Sequence, residues 1–329
     1  MKVEYDLAIL GGGFAGSLLA MIARRLGRTV ILLERGQHPR FAIGESTTPL
    51  ANLLLEELAA RYELPEVASL SKWGTWRREH PELNCGLKRG FTFYHHTLDE
   101  PWRAQPNRGN ELLVAASPSE AIADMHWDRA DLDQFLFTQA RALGAECVEN
   151  FGLAEVTEEA DRVVLRGHRD AQAVTFRARF VFDATGSRGA LHHALKLGEL
   201  GFEGMPKTAA LFAHFRNVRA LADGLVENAA EAPYPPDDAA VHHVFDGGWI
   251  WVLRFANNIT SAGAALTPEL ARTLRPEDGN AAWSRLLDRL PTVREQFEHA
   301  IPATKFFHLP CVPFRSASIV GKRWALLPS

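Results

Sequence analysis

Tyr5-Asp6-Leu7-Ala8-Ile9-Leu10-Gly11-Gly12-Gly13-Phe14-Ala15-Gly16, near the start of the 329-residue chain, decides the fold. A short apolar run enters three glycines, and Ser17 to Leu26 follows as a helix closed by Gly27. Thr29 to Leu33 is a second apolar run, ending at Glu34. Strand, helix and strand within about 30 residues make a βαβ unit. Gly11, Gly13 and Gly16 satisfy G-x-G-x-x-G, and each glycine has a physical task. The first permits the tight turn, the second lets a pyrophosphate approach the backbone, and the third allows close helix–strand packing. The helix N-terminus offers free N–H groups to phosphates, with Phe14 and Ala15 expected among the contacting residues. Glu34 follows Gly13 by 21 residues, where a carboxylate accepts ribose hydroxyls, with Arg35 beside it. The pattern predicts dinucleotide binding.

The length suits two intimately packed subdomains. A hydrophobic share of 47% with 23% charged residues is that of a folded protein and argues against disorder. The formal net charge is −4 and no Lys/Arg-rich run stands out, so nucleic acid is not an expected partner. Cys85, Cys147 and Cys311 share no C-x-x-C spacing, a pattern of reduced cytoplasmic thiols rather than of a disulfide framework or a zinc site. Leu7 to Ala23 is uncharged and preceded by Lys2, but Glu4 and Asp6 stand where a signal's basic flank belongs and glycines interrupt the run. No stable membrane insertion is expected.

Pro49 to Tyr62 reads as a helix with Leu50, Leu53, Leu54 and Leu58 as its core-facing stripe. Gly90 to His96 reads as a strand, and an amphipathic helix from Asp131 is stopped by Gly144. Val163 to Arg179 is hairpin-like, and Phe180-Val181-Phe182 is a strand running into Asp183-Ala184-Thr185-Gly186. Past Gly189 the segments 209–215, 242–245, 249–255 and 260–266 read as antiparallel strands of a second sheet, and 269–300 as mostly helical. Ile319 to Leu327 returns to a strand pattern that stops at Ser329. The expected fold class is α/β, a Rossmann-like FAD/NAD(P)-binding lobe with a second, mostly antiparallel β lobe for substrate. The first lobe is expected from residues 1–84, 118–189 and 311–329, the second from 85–117 and 190–310.

Asp183-Ala184-Thr185-Gly186, Gly44-Glu45-Ser46-Thr47-Thr48-Pro49 and His126-Trp127-Asp128-Arg129, in their positions, resemble the flavoproteins of the hydroxylase, geranylgeranyl reductase and halogenase superfamily. The resemblance implies FAD, contacted by Glu45, Ser46, Thr47, Arg129, Asp183 and Gly186. Lys72-Trp73-Gly74-Thr75-Trp76 and Gly248-Trp249-Ile250-Trp251-Val252-Leu253-Arg254 bring the chain nearer to the flavin-dependent halogenases, the tryptophan halogenase family. The second segment resembles that family's W-x-W-x-I-P signature, with Leu253-Arg254 in place of Ile-Pro. In the family the run after the last strand also bears a G-F-x-D/E-P segment, which does not occur before Ser329, so the chain reads as C-terminally incomplete.

The resemblance implies that reduced flavin arrives from a flavin reductase, or that a nicotinamide docks without a fold of its own, and that hypohalous acid, made from halide, passes to a separate substrate pocket. The substrate is then an electron-rich aromatic or pyrrole compound, free or carrier-tethered. A lysine suits the holding of that oxidant, because it is a compact charge whose proton affinity shifts on burial. The chain has seven lysines against 29 arginines. Lys72 lies 27 residues after Glu45, where the phenol- and pyrrole-acting members keep theirs, and is the expected functional residue. Lys88 is its rival, preceding a strand much as in the tryptophan-acting members.

Trp249 and Trp251 alternate on one strand and share a face, as pocket wall or as core aromatics; for Phe91 and Phe93 core packing is expected. His95-His96, His192-His193 and His242-His243 are adjacent pairs whose members point to opposite faces, so no metal site is expected, and an acid–base role is open to His95 or His243. Two other functions stay open. One is a flavin monooxygenase or reductase acting without halide. The other is a non-catalytic FAD-binding protein or an inactive incomplete chain.

Overall fold

The computed structural model describes residues 4–226 and 231–327; Lys2 and the chain end at Pro328-Ser329, both used in the sequence reading, lie outside them. The chain opens with β1 (Tyr5–Leu10), α1 (Phe14–Arg25) and β2 (Val30–Leu33). Gly11 has φ +96°, and a Cβ there would overlap the Ala184 carbonyl, so the turn requires glycine. α1 starts at Phe14 rather than Ser17, which makes Gly13 its N-cap.

α2 (Pro49–Tyr62) buries Asn52, Leu55 and Ala59. The expected leucine stripe holds only at Leu58, which is half-buried against the core; Leu50, Leu53 and Leu54 are 64%, 61% and 47% exposed. Three consecutive leucines at 53–55 leave the helical phase open, and the bond from Asn52 Nδ2 to Asp124 Oδ1 (2.6 Å) turns the 52/55/59 line inward. α3 (Pro65–Ser69) and α4 (Trp73–Glu79) then lead into β3 (Cys85–Lys88), β4 (Gly90–His96), β5 (Glu111–Ala115) and β6 (Asp124–Trp127).

α5 (Arg129–Ala142) starts two residues before the expected Asp131, capped by the Asp128 carboxylate, which accepts from Ala130 N at 3.2 Å. Such a cap contributes about 1 kcal/mol. β7 (Glu146–Val148), β8 (Phe151–Glu158), β9 (Val163–Arg169) and β10 (Gln172–Asp183) follow. The expected hairpin strand and the strand at 180–182 are one element. β10 pairs antiparallel with β9 through Ala178, then parallel with β1 from Ala178 to Asp183.

Beyond α6 (Ala190–Ala194) come β11 (Ala209–Arg216), β12 (Ala240–Phe245), β13 (Gly248–Arg254) and β14 (Ile259–Leu266). Three short helices, α7 (Pro268–Leu274), α8 (Asn280–Asp288) and α9 (Pro291–Gln296), precede β15 (Ile301–Pro302), β16 (Phe307–Leu309) and β17 (Trp324–Leu326).

The first sheet has the order β7-β2-β1-β10-β9-β8, with β17 parallel to β10, and α1 and α5 pack on it. The second has the order β15-β11-β14-β13-β12-β4-β5, with β16 also on β11. Its pairs are antiparallel except β12 with β4. One face of this sheet forms a core with α8 and α9, where Phe215 packs on Trp283 and Phe297 with ring centroids 5.5 and 5.3 Å away. The other face looks toward β3 and β6, which pair as a two-stranded ribbon. The protein is thus an α/β Rossmann-like lobe joined to a second, mostly antiparallel lobe.

Candidate active site

A cleft of about 820 Å³ opens at the carboxyl ends of β1, β2 and β10, the crevice where such sheets bind ligands. Gly11, Glu34, Arg35, Arg40, Phe41 and Thr185 line it. Glu34 accepts from Gly12 N at 2.9 Å and Arg40 at 3.0 Å on one oxygen, and from Gly36 N at 2.8 Å on the other. Burial opposes its ionisation, but the Gly36 amide, Arg40 and the Gly12 amide outweigh that and hold its pKa below the usual carboxylate value. α1 begins without a side-chain cap or an acidic residue in its first turn, so its leading N–H groups at Phe14 and Ala15 keep their positive end for an anion. A Cβ at Gly16 would overlap the Gly11 carbonyl, which is how the helix sits so close to the turn.

Anchored ribose acceptor, free helix N-terminus and roomy cleft fit FAD. Arg129 fastens the neighbouring loop, donating to Asp133 at 2.9 and 3.0 Å and to the carbonyls of Ile43 (2.8 Å) and Gly44 (3.2 Å). Asp183 spends its carboxylate on its own turn, accepting from Thr185 N and Oγ1 and from Leu191 N, with Gly186 at φ +92°.

A second cleft, of about 380 Å³, lies between the ribbon side and the second sheet. Register builds it. β4, β12 and β13 set Phe93, His242 and Trp251 side by side, and the next rows add Phe91, Ala240 and Leu253, then Val244 and Trp249. Ile43, Gly44, Glu45, Ser46 and Thr48 close the other side. Trp249 is 39% exposed at the rim, and Trp251 lies over Gly263, where any Cβ would overlap the indole and Phe212. Phe91 and Phe93 were expected in the core; both are only half-buried and stand on this face, Phe91 in the cleft wall. Leu253 lines the cleft, while Arg254 turns away to Asp237 Oδ1 (2.7 Å) and the carbonyls of Val218 and Arg219.

Lys88 is wholly buried in this cleft. Its Nζ donates to the Thr47 carbonyl and lies 3.9 Å from the Phe91 ring centroid. Among the described residues no carboxylate pairs with it. Asp124, directly opposite in the β3–β6 register, gives one oxygen to Asn52 and leaves the other without a partner. Burial pulls the Lys88 pKa down to about 8, against the pull of Asp124. Lys72 sits elsewhere, at the N-cap of α4, with its side chain 32% exposed and ion-paired to Glu56. The structure therefore groups Lys88, not Lys72, with Glu45, Ser46, Trp249 and Trp251.

Glu45 crosses between the lobes: its carboxylate accepts from His214 Nε2 at 2.7 Å and Ser261 Oγ at 2.6 Å. Thr47 is buried and exchanges bonds with Met125. His243 is spent in the core, between His96 (2.9 Å) and Gln296 (3.0 Å), and His95 is exposed. Arg40, Phe41, Asp124 and His242 were missed by sequence reading; Arg40 and Phe41 lie on the loop after β2, which no local pattern marks, and only strand register could have pointed to Asp124 and His242. Among the described residues no His, Cys, Asp or Glu cluster could hold a metal ion, and no helix is long and apolar enough to cross a membrane.

The chain is similar to known flavoproteins along nearly its whole length. It is 30% identical over 335 residues to tetracycline 7-halogenase of Kitasatospora aureofaciens, covering 98% of this chain and 58% of that protein. Identity to monodechloroaminopyrrolnitrin halogenase PrnC of Pseudomonas fluorescens is 27% over 332 residues, covering 98% and 56%. The crystal structure of halogenase PltM in complex with phloroglucinol and FAD superposes with a TM-score of 0.87 at 29% identity, covering 98% of this chain and 63% of that one. The chain thus spans less than two thirds of the length of each. The sequence profile described as FAD dependent oxidoreductase matches residues 6–304, and the chain belongs to that family.

Proposed function

We propose that the complete protein uses reduced flavin, oxygen and halide to halogenate an electron-rich aromatic or pyrrole substrate, free or tethered to a carrier protein. One observation carries this reading: a desolvated lysine with no carboxylate partner among the described residues, in a cleft walled by two tryptophans. When bound, reduced FAD would give two electrons to oxygen and so bring it to the level that oxidises halide, and a flavin reductase would supply the reduced form. The residues of this chain do the rest. Glu34 and the α1 N-terminus hold the adenosine and phosphates, with Arg129 and the Glu45–Thr47 segment fastening the loop beside them. Residues 1–84, 118–189 and 311–329 serve the cofactor, and 85–117 and 190–310 the substrate, except that α6 borders the cofactor cleft through Ala190, His193 and Ala194.

Lys88 binds hypohalous acid through its ammonium, and Trp249, Trp251 and Leu253 keep bulk water from it. A low local dielectric strengthens that hold. Lys72, engaged with Glu56 outside the cleft, has no part in it.

The test supplies the complete protein with FAD, a flavin reductase, NADH, oxygen and bromide, and offers indoles, phenols and pyrroles. A bromine isotope doublet in the product mass spectrum is expected. A product heavier by one oxygen, or turnover indifferent to bromide, would sink the reading in favour of a monooxygenase.

A further inference from the structure

Halogenation by hypohalous acid leaves one requirement unmet by Lys88. The ring carbon that takes the halogen must lose its proton, and a base in the cleft has to receive it. Three titratable side chains line the cleft: Glu45, Lys88 and His242. Glu45 has both oxygens engaged, by His214 and Ser261. Lys88 serves the oxidant. Among the described residues His242 is bonded to no other side chain, only the backbone at Ala240 and Thr92 pulls on its ring, and its Nδ1 is buried without a well-aligned partner.

The ring is nevertheless held firmly. It stacks on Phe93 with centroids 4.8 Å apart and planes 18° apart, and faces Phe91 at 6.4 Å. Phe91 also carries the Lys88 ammonium 3.9 Å from its centroid, so imidazole and ammonium border the same aromatic ring. Trp251 stands directly opposite His242 in the β12–β13 register. By contrast, His96 and His243 are bonded to each other in the core, and His214 is bonded to Glu45.

We propose that His242 is the base of the halogenation inferred above, accepting the ring proton as the carbon–halogen bond forms. The step balances. The ring carbon attacks halogen and the O–X bond breaks; the oxygen takes a proton from Lys88 and leaves as water. The ring C–H proton passes to His242, and water returns it to Lys88. Burial lowers the His242 pKa against the pull of the backbone at Ala240 and Thr92, with the nearby Lys88 charge adding to it, and keeps the imidazole neutral and ready. The other titratable groups around it, His126 and His243, are themselves held neutral by burial, which leaves Lys88 as the charge it faces.

The test compares wild type with His242→Gln in the FAD-loaded complete protein, supplied as above with bromide. The variant should lose about 100-fold or more in kcat for substrate bromination with little change in KM. Hypobromite escaping to a diketone scavenger should rise, and imidazole should restore bromination in His242→Ala. Wild-type kcat should fall as pH drops below the ordinary imidazole range near 6.5, with that limb absent in His242→Gln. FAD loading reports folding, and His242→Asn replaces any variant that fails to load. Bromination near the wild-type rate in any loaded variant would overturn the role of His242 alone. Absence of bromination in wild type would overturn the halogenase reading with it.

Discussion

Lys72 and Lys88 sit in one stretch of sequence and in opposite physical settings. Lys72 is a helix-start residue whose charge meets Glu56 in partial contact with solvent. Lys88 is fully buried, hydrogen-bonded to one backbone carbonyl and laid over an aromatic ring. An exposed ion pair is cheap to make and chemically quiet. A buried ammonium with no ion pair among the described residues, and only the unpaired Asp124 carboxylate opposite it, is costly, which is what makes Lys88 a functional candidate. On the proposed reading, what marks the lysine that holds the oxidant is what surrounds it, not its distance from a motif.

The largest effect that could break this contrast is on stability. Lys88→Met keeps the apolar stem and removes the charge, and it should stabilise the protein by about 3 kcal/mol, the value of a pKa lowered from 10.5 to about 8. The sign follows from linkage. A lysine with a lowered folded-state pKa is penalised when charged, so the gain should be full below pH 8 and fade as pH rises toward 10.5. Urea unfolding of both proteins at pH 7 and pH 10 measures it, and a destabilised Lys88→Met would show that the ammonium is paired after all. A smaller effect sharpens the other side. Glu56→Gln removes the partner of Lys72 at a half-exposed site and should cost less than about 1 kcal/mol, reduced further by salt. A larger loss in the same titrations would mean that Lys72 is more constrained than its exposure implies.

The phosphate turn was legible because its parts are contiguous: apolar run, glycines, helix and Glu34 follow in order. The strands of the second sheet were legible from alternation, although the parallel pairing of β12 with β4 was not. The face of α2 was misread because leucines lie on nearly every side of it. The lysine cleft was closed to sequence reading for another reason. Glu45 reaches partners 169 and 216 residues away, and Lys88 a carbonyl 41 residues back. Such contacts exist only once three sheets are assembled, and local pattern carries no record of register. The same holds for Phe91 and Phe93, whose alternation was right and whose face, cleft rather than core, was not.

Bromide-dependent turnover of Lys88→Ala and Lys72→Ala, measured side by side with wild type in the complete FAD-loaded protein, tests the central claim most directly. Brominated product should disappear in Lys88→Ala and stay within about threefold of wild type in Lys72→Ala, since a surface pair outside the cleft touches no reacting atom. Product lost in Lys72→Ala and retained in Lys88→Ala would contradict it.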